Sequence, residues 1–334
     1  MPNWFSRLIW QGTTDRTMMW LGPDHGAPER RGVRLGEEYV TLRVKSARIP
    51  YLRAGPTKYH LSVATWLDWQ TEAHSTQHGT SVIAPSEERG LPPKHRDRIS
   101  FVDKPALRQV PWQGELNVKI ALFAVVEETL AQPVLDYLVK ATEVAGFGFA
   151  GPAKVYAGLV KEASDAIFGT VGSSDVVTGM DRGFLAEDLQ AGYLLLSDAP
   201  AAETAKAKVR FDPQDKRIKP KVDGGSNPLK DYAYMVLEFK ADRVRNDWSQ
   251  FESLRNAWGV LEKRYEDGAK PDEMEELFQR YERACRASPD LLPEDAKIKA
   301  ANARKKFAPV AALAASRPLG PAPRPPLPTF EEIG

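Results

Sequence analysis

The chain of 334 residues contains only one cysteine, Cys285. A single cysteine cannot form an internal disulfide, and it cannot supply the cysteine clusters that hold structural zinc. Histidine is also scarce, with five residues in the chain. Few side chains are therefore present for the general-base and metal-ligand chemistry in which histidine is commonly used, and we expect no cofactor.

The sequence also lacks any uninterrupted run of about 20 apolar residues, so it predicts no transmembrane helix. Its first residues, MPNWFSRLIWQG, have neither the long apolar stretch nor the small-residue cleavage site of a secretory signal. We therefore expect a cytoplasmic protein, and peripheral contact with a membrane stays open as an alternative.

Excess charge of one sign is missing as well, since 46 Lys and Arg face 45 Asp and Glu. Proteins that bind nucleic acids usually carry a clear basic excess, so we expect no nucleic-acid partner. The balance is uneven along the chain, however. Residues 1–110 carry a net charge of +5, residues 111–200 carry −7 and residues 201–334 carry +3. This segmentation favours contacts within the protein or with another protein.

Alternation of apolar and polar residues predicts strands in the first two thirds of the chain. Val40, Leu42 and Val44 alternate with polar residues, and Leu116 to Leu122 repeat the pattern. A period of two is typical of a strand with one buried face. Shorter runs at 59–65, 193–196, 207–211 and 232–239 predict further strands.

After Asp247 the apolar residues recur at helical spacing. One stripe contains Trp258 and Leu261, and a second contains Phe278 and Tyr281. The last residues are rich in alanine and proline, which predicts a disordered tail. Its Arg324-Pro325-Pro326-Leu327-Pro328 run suits a polyproline-binding groove, or serves only as a spacer.

Together these patterns predict an α+β fold that consists of an antiparallel β-sandwich and a C-terminal helical region. We divide the chain into an aromatic N-terminal segment (1–37), a β-sandwich (38–245), a helical region (246–307) and a tail (308–334). Residues at about 129–172 also show helical spacing, and they predict a helical insertion within the sandwich.

The order of apolar strands from 38 to 126 resembles that of C2-type β-sandwich domains. The segment Ile49-Pro50-Tyr51-Leu52-Arg53-Ala54-Gly55-Pro56-Thr57-Lys58-Tyr59 sits where these domains have their first top loop. Calcium-binding members hold the ion with clustered loop aspartates, because a hard cation needs several oxygen ligands. This loop offers Arg53, Thr57 and Lys58 instead. The resemblance, which covers about half the chain, therefore implies a calcium-independent sandwich that faces lipid or protein.

A glycine motif occurs within the predicted insertion, where Gly146, Gly148 and Gly151 form G-x-G-x-x-G. That spacing brings backbone amides to a pyrophosphate when the motif follows a strand and starts a helix. The residues before Gly146 have helical spacing, so the motif is better interpreted as a flexible joint between helices.

The polar segment 71–98 is predicted to be a long loop, and it contains three of the five histidines. His74 and His78 stand four residues apart, and His95 could complete a metal site if the loop folded back. A metal-dependent hydrolase built on His74, His78 and His95 is therefore one alternative, and a solvated loop is the other.

These observations predict a non-enzymatic interaction module, an adaptor or regulated subunit that binds another protein. A peripheral membrane protein that uses its aromatic, basic N-terminal region is an alternative. Candidate residues for contact with a protein or an anionic membrane are aromatic or basic: Trp4, Phe5, Trp10, Trp20, Arg53 and Lys58.

Overall fold

The structure is a computed structural model. It describes residues 16–50, 53–54, 57–70, 76–83, 99–100, 103–126, 174–200, 209–221, 229–245, 247, 251–316, 326–330 and 332–333. The predicted helical insertion, with its glycine motif, lies outside the described residues.

Antiparallel strands form three sheets in this part of the chain. The larger sheet contains β1 (Arg16–Leu21), β2 (Arg31–Gly32), β3 (Tyr39–Arg48), β7 (Ile99–Ser100), β8 (Lys104–Pro111), β11 (Gln190–Pro200) and β14 (Tyr234–Asp242). The smaller sheet contains β4 (Arg53–Ala54), β5 (Thr57–Gln70), β6 (Thr76–Ile83), β9 (Glu115–Val126) and β10 (Ser174–Leu185). The third sheet is a hairpin of β12 (Val209–Asp212) and β13 (Arg217–Pro220).

The strand order brings distant parts of the chain together. In the larger sheet the order is β1, β11, β14, β3, β7; β2 also pairs with β11, and β8 with β3. In the smaller sheet the order is β10, β9, β5, β4, and β6 also pairs with β5. The central strand β14 therefore joins the early strand β3 to the late strand β11.

The larger sheet and the smaller sheet share one apolar core. Each strand turns alternate residues to the same side, so both sheets present an apolar face to this core. From the smaller sheet come Leu116, Val118 and Ile120 of β9, and from the larger sheet come Leu42 of β3 and Leu237 of β14. All five are at most 1% exposed. The sheets consequently pack face to face.

A second core lies on the opposite face of the larger sheet, where the β12–β13 hairpin covers it. Phe211 of β12 and Ile218 of β13 pack there with Tyr193 of β11. The rings of Tyr193 and Phe211 meet edge to face at 5.3 Å. The larger sheet is thus covered by apolar contacts on both faces.

After β14 the structure describes three helices: α1 (Glu252–Glu266), α2 (Pro271–Ala287) and α3 (Pro293–Ser316). Their apolar stripes meet in a third core, in which Trp258, Phe278 and Phe307 are at most 2% exposed. Phe278 stacks on Phe307 at 4.8 Å. The guanidinium of Arg304 also packs on this pair, 4.0 Å from the Phe278 ring centre. We call these helices the bundle.

The C-terminal residues pack against the bundle. Phe330 is 4% exposed and Ile333 is 1% exposed, and both belong to the bundle core. The predicted tail boundary at 308 therefore differs from the structure, since α3 continues to Ser316 and Phe330 is buried. The proline content predicted a tail without contacts. The apolar residues that follow the prolines, Phe330 and Ile333, instead pack into the core of the bundle.

Arg245 joins the sheets to the bundle just after the end of β14. Its side chain is buried, lies 4.3 Å from the ring centre of Phe251 and donates a hydrogen bond of 3.0 Å to the carbonyl of Asp290. Its backbone amide donates to the carboxylate of Asp295 at 3.2 Å. A buried guanidinium keeps its charge, so these acceptors fix where the bundle begins.

The predicted α+β class, antiparallel sheets and C-terminal helices are confirmed. Besides the tail boundary, two parts of the sequence interpretation differ from the structure. β1 and β2 belong to the larger sheet, although residues 1–37 were predicted to be a separate segment. Residues 76–83 form β6, although 71–98 was predicted to be loop. No helix among the described residues is both long and apolar enough to span a lipid bilayer.

Candidate interaction surface

Three turns meet at the end of the sheets where β3 begins. They connect β2 to β3 (33–38), β8 to β9 (112–114) and β10 to β11 (186–189). The amide of Gly36 donates to the carbonyl of Trp112 at 2.9 Å, which ties the first turn to the second. Trp112 is 1% exposed, so this end of the molecule is anchored in the core.

Leu35 is held outward by this arrangement. The next residue, Gly36, has φ +69°, a left-handed conformation that favours glycine. Gly114 has φ +95°, and a Cβ built there would lie 3.2 Å from the Leu35 side chain. Leu35 therefore lies close over the neighbouring turn, and it is still 55% exposed.

A groove of about 470 Å³ opens beside these turns, between β2 and the end of β14. We call it the arginine groove, and its lining residues are Arg31, Gly32, Arg34, Glu38, Ala241, Asp242 and Arg243. Three guanidinium groups and two carboxylates thus surround one concave surface.

Glu38 is a buried carboxylate that accepts hydrogen bonds from two residues of the groove. It is 2% exposed, and its carboxylate accepts hydrogen bonds from the Arg31 side chain at 2.8 Å and the Arg34 amide at 2.9 Å. Burial alone raises the pKa of Glu38, but these donors outweigh burial and lower it. Glu38 is therefore ionised at neutral pH and fixes Arg31 in place.

The three arginines are held to different degrees. Arg31 also donates to the carbonyl of Ala241 at 3.1 Å, so it connects the two walls of the groove. The Arg34 side chain makes one exposed ion pair among the described residues, with Glu37 at 3.4 Å, and such a pair contributes little to stability. Arg243 is exposed, and it forms no hydrogen bond or ion pair with any residue that the structure describes.

Exposed aliphatic residues lie at the same end of the sheets, at the last position of β10 and directly after Arg243. Leu185 is 59% exposed and Val244 is 49% exposed. Gln109 of β8 donates to the carbonyl of Val244 at 3.3 Å, which holds that residue beside the sheet. The surface consequently combines fixed positive charge with apolar side chains, as protein-binding surfaces do.

A second charged cluster lies on the outer face of the larger sheet around Asp103. This carboxylate accepts from Arg43 at 3.2 Å and pairs with Lys45 at 2.9 Å and Lys216 at 3.1 Å. Burial raises the pKa of Asp103, but Lys45 and Lys216 outweigh it and lower the pKa to about 2. Because all three cations are already paired, the cluster holds the β12–β13 hairpin in place and leaves little charge for a ligand.

The structure separates the residues that the sequence singled out for binding. Trp4, Phe5 and Trp10 lie outside the described residues. Trp20 lies on β1, where it is partly buried and its ring is 5.6 Å from that of Phe239. Arg53 of β4 and Lys58 of β5 pair in register, at the far edge of the smaller sheet from β10.

The histidines proposed for a metal-dependent hydrolase are also only partly described. His74 and His95 lie outside the described residues, and His78 lies on β6, in register with Asp68 of β5. The helical spacing of His74 and His78 therefore does not apply to His78, whose segment is a strand. No group of three or more metal-binding side chains is found within the described ranges.

Sequence reasoning missed Arg31, Arg34 and Arg243. Arg31 and Ala241 stand 210 residues apart, and only the pairing of β11 with both β2 and β14 brings them to one groove. The net charge of +5 over residues 1–110 was the one feature of the sequence that indicated a basic binding surface.

Comparisons with known proteins add no further assignment. The chain matches no protein-family model, and neither a curated protein nor a solved structure shows significant similarity to it.

Proposed function

We propose that this chain is a non-enzymatic interaction module that binds an acidic segment of another protein through the arginine groove. The observation that carries the proposal is the exposed Arg243, which has no partner within the described residues, beside an Arg31 fixed by the buried Glu38. A guanidinium that is positioned before binding loses little conformational freedom when a carboxylate arrives.

Charge in the groove favours an anionic ligand. Glu38 is buried and paired with Arg31, and Asp242 is paired with Lys240 at 2.8 Å. Both carboxylates are thus neutralised locally. Arg34 pairs only with the exposed Glu37 among the described residues, and Arg243 has no partner among them. Arginine binds carboxylates through two parallel hydrogen bonds, which suits aspartate and glutamate side chains.

Exposed apolar side chains at this end of the sheets favour a protein over a small anion. Leu35, Leu185 and Val244 are each about half exposed. A free anion gains nothing from these side chains, whereas a peptide that places an apolar residue beside its carboxylates buries them. We expect a partner segment that combines two or more acidic residues with at least one apolar residue.

We also propose that the paired sheets form a C2-like sandwich of the calcium-independent type. The antiparallel arrangement of β3, β5 and β9 in two facing sheets supports this assignment. It predicts that millimolar Ca²⁺ leaves ligand binding unchanged.

The test uses the full chain and a fluorescein-labelled peptide that alternates glutamate and leucine, with binding followed by fluorescence anisotropy. We expect binding that weakens with salt, because the contacts are ionic and exposed. Arg243→Glu should weaken it by about tenfold, since an attractive charge becomes a repulsive one. Arg286→Glu is the matched control: it makes the same charge change on an exposed residue of α2 and should leave binding intact.

The alternatives give different results in parallel assays. Binding to phosphatidylserine vesicles but not to the peptide would favour a peripheral membrane protein. Hydrolysis of an ester substrate that stops after treatment with a chelator would favour the histidine-loop hydrolase. An equal effect of Arg243→Glu and Arg286→Glu, or no peptide binding at low salt, would overturn the arginine groove as the binding site.

A further inference from the structure

A second groove in this molecule is occupied by the chain itself. Residues 326–330, 332 and 333, which we call the C-terminal strap, lie against the bundle. The strap inserts Phe330 and Ile333 into the bundle core, and Leu327 packs partly buried beside them. The site is separate from the arginine groove and is made from different elements.

Trp258 of α1 is the centre of this contact. Its indole N–H donates to the carbonyl of Pro328 at 3.1 Å and to the Glu262 carboxylate at 2.9 Å. The ring itself is fixed edge to face against Tyr281, at 5.1 Å. An indole that donates to a carbonyl in a proline-containing segment is how aromatic grooves recognise extended peptides.

The strap carries its own turn, which presents its two anchors. The Thr329 amide donates to the Glu332 carboxylate at 2.8 Å, and the Glu332 amide donates to the Thr329 carbonyl at 3.0 Å. This local closure places Phe330 and Ile333 on the bundle side, while Thr329 and Glu332 remain exposed. The recognised pattern is Leu-Pro-x-aromatic followed by an aliphatic residue three positions later.

The sequence that precedes the strap suits a segment that can leave its groove. Residues 317–325 join α3 to the strap, and four of these nine residues are proline. Proline lacks the amide hydrogen that helix and sheet pairing require, so a sequence of this composition does not extend a helix. This covalent connection of nine residues keeps the strap at a high effective concentration near its groove, while the contact of the strap with the groove is itself non-covalent.

We propose that the groove around Trp258 is a peptide-binding site for a Leu-Pro-x-aromatic segment of a partner protein, and that the C-terminal strap is an intramolecular competitor that occupies it. A partner segment binds when it displaces the strap. Only molecules whose strap has left the groove can bind the partner. The affinity of the intact chain for the partner therefore equals that of the open groove multiplied by the fraction of molecules that are open.

The test uses a protein that folds as an intact chain and is then cut between α3 and the strap. A variant with a specific protease site in place of residues 317–325 is purified whole, cleaved and diluted. We expect the strap peptide to dissociate while the bundle stays folded, as shown by helical circular dichroism and by continued protection of the buried Cys285. The opened protein should then bind a fluorescein-labelled peptide with the sequence of residues 326–334 at least about tenfold more tightly than the uncleaved chain does.

Matched controls identify the anchors. The same peptide with alanine in place of Phe330 should not bind, whereas alanine in place of the exposed Thr329 should leave binding unchanged. In the opened protein, Val260→Ala on the exposed face of α1 should have no effect. Trp258→Phe should weaken binding about fivefold, because the hydrogen bond from the indole to the Pro328 carbonyl of the peptide is lost.

Two results would overturn the proposal. If the bundle unfolds when the strap leaves, the strap is part of the core and not a ligand. If the opened and uncleaved proteins bind the peptide equally, the groove is not controlled by the strap. Concentration-dependent dimers of the intact chain, dispersed by the free peptide, would show that a second copy is the occupant and would overturn the assignment to a partner protein.

Discussion

The phenolic hydroxyl of Tyr39 donates a hydrogen bond of 2.8 Å to the carboxylate of Asp295, and so connects the first residue of β3 to the first turn of α3. The same hydroxyl accepts from the Leu292 amide at 2.7 Å. Tyr39 is fully buried. One hydroxyl group thus satisfies two groups of the bundle from within the sheet.

Tyr39→Phe should lower the free energy of unfolding by about 1–3 kcal/mol, because a buried amide and a buried carboxylate each lose a partner. Urea denaturation followed by circular dichroism measures this change. Tyr193→Phe is the matched control, since the Tyr193 hydroxyl makes no hydrogen bond with a described residue. Equal losses in the two variants would mean that the Tyr39 hydroxyl does not join sheet and bundle.

Asp103 should make stability depend on pH in the acid range. Its pKa is lowered to about 2, so its contribution is fully present above about pH 4 and disappears as the pH falls towards 2. Asp103→Asn should destabilise the protein by about 1–2 kcal/mol at pH 7 and hardly at all at pH 2. Urea midpoints at both pH values measure this difference.

Asn is a suitable replacement for Asp103, because residue 103 has φ +34° and asparagine tolerates left-handed backbone. The control is Asp231→Asn, which removes a carboxylate that is 75% exposed. It should leave the urea midpoint unchanged at both pH values. A constant difference between wild type and Asp103→Asn across the pH range would contradict the assignment.

Two glycines should respond to alanine with opposite signs. Gly26 has φ +71°, and a Cβ there would lie 2.5 Å from the backbone carbonyl oxygen of Phe211. Gly26→Ala should therefore destabilise the protein by about 3 kcal/mol. Gly259 lies within α1, and a Cβ there would meet open space, so Gly259→Ala should stabilise by about 0.5–1 kcal/mol. Thermal unfolding of both variants beside wild type tests the pair.

Cys285 should report on the bundle alone. The thiol is completely buried, and burial raises its pKa to about 11. At pH 8 we expect its reaction with a disulfide reagent to be slower than in urea-unfolded protein by about 100-fold or more, because the thiolate is both rare and inaccessible. A rate close to that of the unfolded chain would show that the bundle opens readily under native conditions.

The alternation of apolar and polar residues predicted those strands that bury one face and expose the other. β9 includes the whole predicted run from Leu116 to Leu122, because Leu116, Val118, Ile120 and Leu122 all face one core. β6 could not be predicted in this way, since its Gln77, His78 and Gly79 have no apolar alternation. The hydrogen bonds that it forms with β5 are tertiary contacts, and these override weak local preference.

For each of the two proposed binding sites, too, the sequence indicated part of the site and the rest required the structure. The sequence left open whether the proline-rich tail binds a polyproline groove or serves only as a spacer, and nothing in it indicated a groove around Trp258 of the same chain. The arginine groove depends on Arg31 and Arg243 meeting across β11 and β14, and pairing over that distance leaves no local trace. Topology is needed to find such a site.

The pairing of β1 with β11 has a consequence for how the protein is made. In the part of the chain that the structure describes, β1 pairs with β11, and Thr17 lies opposite Ser197, so this pairing waits until about 180 more residues have been synthesised. At about 5–20 residues per second, the wait for β11 lasts roughly 10–40 s. The Met18-Met19-Trp20-Leu21 sequence of β1 is the kind of apolar stretch that chaperones hold. We expect production of the protein to depend on chaperone supply during translation more than on the stability of the finished fold.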